Sequence, residues 1–170
     1  HECDFPPGVE ALPICSEPRI DVSGRRNEID QQVKASLRDA LSIYTVFREE
    51  LERLKPSVII TQSQCDVCAV NLEDVQAAVC EMVELKPEIV SLEPMALSDI
   101  WSDIQTVADS LNDAEAGHRL IDSLQKRLQN LGTTLPVSPA RPTVVCIEWL
   151  EPLMPAGNWI PELVELAGGT

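Results

Sequence analysis

The sequence predicts an α/β protein with two α/β units separated by a long helical segment. Three observations support this prediction. A strand–helix–strand pattern occupies residues 57–92, a proline-free helical pattern occupies residues 97–131, and a second strand begins at Thr143. A length of 170 residues is enough for one ordinary domain or two small lobes.

The N-terminal part predicts turns and then two helices. Residues 1–24 are rich in proline and turn formers, with a short strand predicted at 12–15. Asn27 is suited to cap a helix, and apolar residues then recur at three- and four-residue spacing, as on one buried helical face. They are Ile29, Val33, Leu37, Leu41 and Tyr44. A second helix, 46–54, should end before Pro56 because the residue before proline avoids the α region.

Residues 57–92 predict a parallel strand pair with a crossover helix. The β-branched run 57–61 indicates a buried strand, and 62–70 a loop. Asn71 should cap a helix with an apolar stripe at Leu72, Val75, Val79 and Met82. A second strand is predicted at 88–92, so the two strands should lie side by side in parallel.

Residues 97–131 predict a long helical segment without proline. Asn112 and Glu115 match a capping box, so a kink or restart is expected between the two halves. An unbroken helix of this length would span on the order of 50 Å, which is long enough for a rigid strut between two lobes.

The C-terminal part predicts the start of a second α/β unit. A proline-containing linker is followed by a strand at 143–147, a loop at 148–158 and a helix from Trp159 to Leu166 that ends at Gly168-Gly169. The predicted domains are a first lobe at 1–95, a helical segment between lobes at 96–134, a linker at 135–142 and the start of a second lobe at 143–170.

Composition and charge exclude several classes of partner. Apolar residues make up 44% and charged residues 24% of the chain, which is typical of a globular protein. A net charge of −15 repels phosphate backbones, so no nucleic-acid partner is expected. No window approaches the ~18 apolar residues of a membrane span, so the chain is predicted not to span a membrane. No signal peptide is visible, which leaves both an extracytoplasmic and a cytoplasmic location open.

Candidate ligand-binding residues follow from strand ends, because open α/β sheets bind ligands beyond the carboxyl ends of their strands. Such loops are predicted at 62–68 and 148–159, with a third at 1–5. Trp149 and Trp159 lie among prolines and glycines, where a rigid aromatic ring can cover a flat ligand; packing inside a lobe interface is the alternative. The candidates are His1, Cys3, Phe5, Gln62, Cys65, Cys68, Glu148, Trp149, Asn158 and Trp159.

Six cysteines leave the redox compartment undecided. Cys65 and Cys68 form a Cys-x-x-Cys motif with three open interpretations. They would bind zinc together with Cys3 and His1, act as a redox dithiol, or have a structural role such as a disulfide to Cys3. Cys80 and Cys146 lie in apolar patterns and are expected to be small buried side chains.

Motifs for catalysis are absent from the sequence. It contains no phosphate-binding glycine loop, no nucleophile elbow and no nucleophile beside a base. The chain is therefore predicted not to be an enzyme and to require no cofactor, with zinc as the one optional metal.

Three motifs resemble one known family in order and spacing. Residues 1–7, His-Glu-Cys-Asp-Phe-Pro-Pro, resemble the Asp-Tyr-Pro-Pro loop of periplasmic cobalamin-binding proteins, and 54–60, Leu-Lys-Pro-Ser-Val-Ile-Ile, resemble a strand of the same proteins. The stretch from 143–149 through 163–169 resembles the strand, binding loop and helix that open their second lobe. The chain is thus similar to the substrate-binding proteins of cobalamin and iron-siderophore ABC transporters.

The resemblance implies two Rossmann-like lobes joined by a long helical strut, with a corrinoid or related metal chelate held between the lobes for delivery to an ABC importer permease. It implies that Glu73 docks onto the permease, although a partner for the helix dipole is the alternative. The opening strand and helix of the first lobe and most of the second lobe are missing from the pattern, so a fragment is expected. The Cys-x-x-Cys loop is also absent from the best-known members, which leaves the ligand open.

Two other functions remain as hypotheses. The first is a metal-binding or thiol-redox module built around Cys3, Cys65 and Cys68. The second is an intracellular ligand carrier or sensor with the same fold.

Overall fold

The computed structural model describes residues 5–38, 43–63, 70, 72–80, 86–134 and 141–170. The chain divides into two compact units, His1–Leu92 and Glu93–Thr170. The first contains a short 3-10 helix (Val9–Ala11), β1 (Ser16–Pro18), α1 (Arg26–Arg38), β2 (Tyr44–Val46), α2 (Arg48–Leu54), β3 (Val58–Gln62), α3 (Leu72–Cys80) and β4 (Glu88–Leu92). The second contains α4 (Leu97–Ser110), α5 (Ala114–Thr134), β5 (Ile147–Leu150), β6 (Leu153–Pro155) and α6 (Ile160–Leu166). The mixture of helices and strands confirms the predicted α/β class.

The first unit is organised around a parallel strand pair. β3 and β4 are in register from Val58 opposite Glu88 to Gln62 opposite Leu92, which confirms the predicted strand–helix–strand arrangement. The crossover helix α3 packs against β2 and β3. Among the described residues, the buried apolar side chains all belong to this unit: Ile43, Tyr44, Leu51, Val75 and Val90.

Tyr44 corrects the predicted first helix. It lies in β2, which pairs antiparallel with β1 so that Tyr44 faces Pro18, and the described part of α1 ends at Arg38. The predicted strand at 12–15 is also wrong, because the chain extends into a strand only from Ser16. A three-residue strand and a helical turn both place apolar side chains three or four positions apart, so spacing alone did not separate Tyr44 from the helix.

The long helical segment is broken, as predicted, but the capping residue differs. Asn112 has a φ of 58° and forms the left-handed turn after α4, instead of capping α5. Asp113 is the cap, since its Oδ1 accepts the backbone N–H of Ala116 at 3.2 Å. The break excludes one continuous 50 Å helix. The predicted role of this segment as a strut between lobes stays a prediction.

α4 and α5 approach each other closely beyond this break. Gly117 is buried, and a Cβ atom on it would lie 2.7 Å from the Cβ of Ala108 and 2.9 Å from Oε1 of Gln105. The amide of Gln105 also donates to the carbonyl of Ala114 at 3.2 Å. The two helices therefore cross where only small residues permit backbone contact.

Carboxylates satisfy the amides at the start of α4. Asp99 Oδ2 accepts the N–H groups of Met95 at 2.9 Å and Ala96 at 2.8 Å. Glu162 of α6 accepts the N–H of Leu97 at 2.9 Å, so α6 contributes to capping a helix 65 residues earlier in the chain. Both carboxylates also interact favourably with the positive end of the helix dipole.

We expect acid to weaken the second unit partly through Asp99. The N–H donors of Met95 and then Ala96 lower the pKa of Asp99 below its ordinary 3.8. Its stabilising effect is therefore complete above about pH 4 and is lost as the pH falls through the lowered pKa. Burial, and then the charge of Asp99, raises the pKa of Asp103, which has the opposite effect on stability. Urea unfolding from pH 6 to about pH 2.5 should show a shallower acid loss in Asp99→Asn and a steeper one in Asp103→Asn. Equal slopes in both variants and the unchanged chain would contradict this assignment.

The segment after residue 140 corrects the predicted strand at 143–147. Its first assigned strand, β5, begins only at Ile147 and pairs with β6 as an antiparallel hairpin inside the predicted loop. Thr170 nevertheless bonds both neighbours of Thr143: its N–H donates to Pro142 O at 2.9 Å, and its carbonyl accepts Val144 N–H at 2.8 Å. This pair of bonds is one rung of a parallel ladder. The chain therefore has one parallel rung where the strand was predicted, and a hairpin occupies the predicted loop before α6.

α6 ends at the glycine pair Gly168-Gly169, as predicted. Gly168 has a φ of 86°, and the N–H groups of Gly168 and Gly169 donate to the carbonyls of Glu165 and Val164. These two bonds form a Schellman motif, which needs a residue in the left-handed region. Among the described helices, none is both long and apolar enough to cross a bilayer.

Candidate ligand-binding surface

The predicted site residues fall into three groups. Glu148, Trp149, Asn158 and Trp159 lie in the second unit, and Phe5 and Gln62 lie in the first. The remaining predicted ligand residues, His1, Cys3, Cys65 and Cys68, lie outside the described residues. The second unit therefore contains most of the predicted site residues whose positions the structure describes.

A β-hairpin carries Glu148 and Trp149. We call residues 147–155 the Trp149 hairpin. Trp149 lies opposite Met154, and Leu150 opposite Leu153, across the turn formed by Glu151 and Pro152. Ile147 pairs with Pro155, so Glu148 is the extra residue of a β-bulge. A bulge changes the direction of the neighbouring side chains, and bulges are frequent beside binding sites.

Trp149 is fixed by a hydrogen bond inside this hairpin. Its indole N–H donates to the carbonyl of Glu151 at 2.8 Å. The polar atom of the ring is thus satisfied within the hairpin, so a ligand would meet the ring as an apolar surface. The side chain is half-buried, which leaves part of the indole accessible.

Large apolar side chains are exposed around Trp149. Leu153 is 68% exposed and Val145 74% exposed, and the other members are Ile147, Leu150 and Met154. Exposed apolar side chains that stand singly are ordinary, whereas several close together in the chain make this segment a candidate binding surface. The sequence did not single out these aliphatic residues, because an apolar run before a helix also fits a buried strand.

An apolar hollow lies beside the hairpin. It measures about 240 Å³ and is lined mainly by residues 144–146, Pro155, Ala156 and one side of α6. Pockets for drug-sized ligands typically have ~300–1,000 Å³, so this hollow would accept one group of a larger ligand. Cys146 lines it as a half-buried free thiol, and Glu165 also lines it.

Asn158 and Trp159 lie where the loop enters α6. Asn158 has a φ of 52°, a conformation that asparagine tolerates better than most residues. Trp159 is the residue before the helix, and its carbonyl accepts the N–H of Leu163 at 3.1 Å. Its side chain is half-buried. The backbone of both residues thus shapes the turn that starts α6.

Carboxylates border the Trp149 hairpin. Glu148 precedes Trp149, Glu151 follows at the turn, and both side chains are exposed. This charge disfavours a strongly anionic ligand at the indole and favours a neutral or cationic one.

In the first unit, the predicted residues lie on separate elements. Gln62 is the last residue of β3, paired with Leu92, and does not begin a loop as predicted. The apolar and β-branched run ends at Thr61, but the pairing of β3 with β4 continues through Gln62. Phe5 is 75% exposed. Glu73 is exposed in the first turn of α3, as its predicted docking role requires.

Three hydroxyl side chains at the carboxyl ends of β3 and β4 were missed by the sequence analysis. Ser91 donates from Oγ to Ser63 Oγ at 3.1 Å, and Thr61 Oγ1 donates to the carbonyl of Val70 at 2.6 Å. Isolated serine and threonine residues carry no spacing signal; only the predicted parallel pairing of the strands would have placed Thr61 beside Ser91.

The cysteines give no support to a metal centre in the part of the chain that the structure describes. Within those ranges, no three His, Cys, Asp or Glu side chains lie close enough together to hold a metal ion. Cys80, in α3, is exposed, which corrects the expectation that it is buried. Burial, and then the charge of Glu50, raises the pKa of the Cys15 thiol.

No protein-family model and no curated protein matches this sequence. Two solved structures share its fold. One is an ABC transporter substrate-binding protein from Listeria monocytogenes EGD-e, with a TM-score of 0.54 and 19% identity over 74% of this chain. The other is the periplasmic vitamin B12 binding protein BtuF of Vibrio cholerae, with a TM-score of 0.51 and 22% identity over 74% of this chain. The matches cover only 46% and 47% of those two chains, so this chain corresponds to about half of their length.

Proposed function

We propose that this chain belongs to a substrate-binding protein that captures a corrinoid, or a related metal chelate, for an ABC importer. The observation that carries the proposal is the Trp149 hairpin. It presents an indole, fixed by its own hydrogen bond, among exposed aliphatic side chains. A rigid aromatic ring with an apolar surround suits a large flat ligand.

The negative charge near the indole favours some kinds of ligand over others. Glu148 and Glu151 flank the indole, and the chain as a whole has a net charge of −15. An anionic chelate would be repelled, whereas a neutral corrinoid would not. The 240 Å³ hollow would accept a peripheral group of the ligand and not the whole macrocycle.

The fold likeness to two transporter-associated binding proteins supports the importer part of the proposal. In this function the chain binds and releases its ligand, catalyses no reaction, and acts outside the cytoplasm. Glu73, exposed at the start of α3, is our candidate for contact with a permease. A metal-binding or thiol-redox module centred on Cys3, Cys65 and Cys68 stays a prediction of the sequence.

A titration tests the proposal directly. We expect dicyanocobinamide and cyanocobalamin to bind the chain saturably, with close to one ligand per chain and quenching of tryptophan fluorescence. A ferric tris-catecholate, which is anionic, should bind at least about tenfold more weakly, a difference of ~1.4 kcal/mol. Absence of saturable binding by either corrinoid would reject the ligand class. Bound zinc in the purified chain, lost when the cysteines are changed to serine, would favour the thiol module instead.

A further inference from the structure

The hollow beside the Trp149 hairpin has two well-defined borders. At the end of α6, Gly169 is buried, and a Cβ atom on it would lie 2.9 Å from both Val144 Cγ2 and Val164 Cγ1. At the hairpin, the N–H of Ala156 donates to the carbonyl of Cys146 at 2.9 Å, which continues the pairing of β5 with β6 by one step. The hollow therefore lies between the closely packed end of α6 and the base of the hairpin that presents the indole.

The lining of the hollow suits a neutral, apolar group. Most of its lining side chains are valine, proline, alanine or isoleucine. Backbone groups beside it bond one another, since Thr170 O accepts the N–H of Val144 at 2.8 Å and Val164 O accepts the N–H of Gly169 at 2.9 Å. A polar group would give up its hydrogen bonds to water on entering such a lining. Glu165 also lines the hollow, and its negative charge disfavours an anionic group.

The size and position of the hollow fit one arm of a ligand that also contacts Trp149. Its volume of about 240 Å³ equals the space of about eight water molecules in the liquid, so a bicyclic aromatic group would fill most of it. Trp149 lies three residues beyond Cys146, a distance of about 10 Å along a β-strand. A macrocycle that lies on the indole can therefore place one aromatic arm in the hollow.

We propose that this hollow, which we call the base subsite, accepts the neutral heterocyclic base of a complete corrinoid. Cyanocobalamin carries such a base, dimethylbenzimidazole, whereas dicyanocobinamide has the same macrocycle without it. The base is bicyclic, aromatic and uncharged, so it matches the volume, the apolar lining and the negative charge of the subsite. This inference rests on the proposed function and names the group by which the chain distinguishes one corrinoid from another.

Calorimetric titration of the complete 170-residue chain with both corrinoids tests the base subsite. We expect cyanocobalamin to bind about tenfold more tightly than dicyanocobinamide, because an aromatic group leaves water when it enters the hollow. Ala156→Leu fills part of the hollow and should lower cyanocobalamin affinity about tenfold while changing dicyanocobinamide affinity less than about twofold. Ala167→Leu is the matched control, because Ala167 is exposed at the end of α6, outside the lining, and it should keep the full preference.

Alkylation of Cys146 gives a second readout that needs no corrinoid. This free thiol lines the hollow, so free dimethylbenzimidazole should slow its reaction with N-ethylmaleimide, by about threefold when the base is at twice its dissociation constant. Peptide mass spectrometry follows the reaction at each cysteine. Cys80 is the internal control, because it is an exposed free thiol in the other unit and its rate should not change. Benzoate, which is aromatic but anionic, should protect Cys146 less than the base does at the same concentration.

The outcomes separate this inference from the proposed function. Equal affinity for the two corrinoids, or an unchanged preference in Ala156→Leu, overturns the base subsite and leaves corrinoid capture intact. If Ala156→Leu loses both corrinoids, protection of Cys146 in the unchanged chain decides. If neither corrinoid binds the unchanged chain, the proposed function fails, and protection by the free base alone decides whether the hollow accepts such a group. Alkylation of Cys146 that the base does not slow overturns the subsite in every case.

Discussion

Replacing Gly117 by valine should lower the unfolding free energy of the second unit by about 2–3 kcal/mol. Gly117 is buried at the crossing of α4 and α5, where a Cβ would lie 2.7 Å from the Cβ of Ala108 and 2.9 Å from Gln105 Oε1. Neither helix backbone can relax locally without losing its hydrogen bonds. The two helices must therefore move apart, and the bond from Gln105 to the carbonyl of Ala114 is strained or lost.

Tryptophan fluorescence during urea unfolding measures this effect selectively. The three tryptophans of the chain, Trp101, Trp149 and Trp159, all lie in the unit Glu93–Thr170. Gly157→Ala is the control, since no atom lies within 4 Å of the added Cβ, and it should change stability by less than about 0.5 kcal/mol. Adding Ala108→Gly to Gly117→Val should restore part of the loss. Equal stability of Gly117→Val and the unchanged chain would show that the helices do not cross here.

The break between α4 and α5 shows what the sequence reveals about this region and what it does not. A polar pair in a helical pattern predicted a restart within one residue of the observed cap, because caps depend on local hydrogen bonds. The close contact between Ala108 and Gly117 was not predicted. Glycine and alanine do not stand out in a pattern of apolar spacing. Whether they allow two helices to approach closely depends on which helix lies opposite.

The β-strands differ in predictability for a similar reason. β4 was predicted with its observed bounds, 88–92. A short run with β-branched residues between a proline and a loop is typical of a strand. The apolar run 143–147 suggested an equally clear strand, yet only Ile147 belongs to an assigned one. Strand assignment there depends on partners: 147–150 pairs with 153–155, whereas Thr143 has the single rung to Thr170.

The candidate site was partly predictable. Trp149 and Trp159 were singled out because a rigid aromatic ring in a proline- and glycine-containing loop can cover a flat ligand. The hairpin that presents Trp149 depends on the pairing of β5 with β6, which local spacing does not reveal. Side-chain hydroxyls bond whatever the fold brings near, so Thr61 and Ser91 become neighbours only once β3 and β4 lie in register.

Trp149→Ala is expected to weaken corrinoid binding more than any other single substitution in the hairpin, by about 30-fold or more, which is ~2 kcal/mol. The indole is the largest ring on this surface, and its bond to the carbonyl of Glu151 holds it in place before the ligand arrives. Preorganised aromatic groups contribute strongly because little entropy is lost on binding. Calorimetric titration with dicyanocobinamide gives the affinity of each variant.

Trp149→Phe separates the two contributions of the indole. Phenylalanine keeps an aromatic face but cannot donate to Glu151, so affinity should fall only about 3- to 10-fold, the effect of one hydrogen bond. Trp101→Phe, in α4, should leave the affinity within about twofold and controls for general effects of tryptophan replacement. If Trp149→Ala binds as tightly as the unchanged chain, the hairpin is not the ligand-binding surface. If Trp149→Phe loses as much affinity as Trp149→Ala, a single aromatic ring does not supply the affinity, and the full indole with its N–H donor is required.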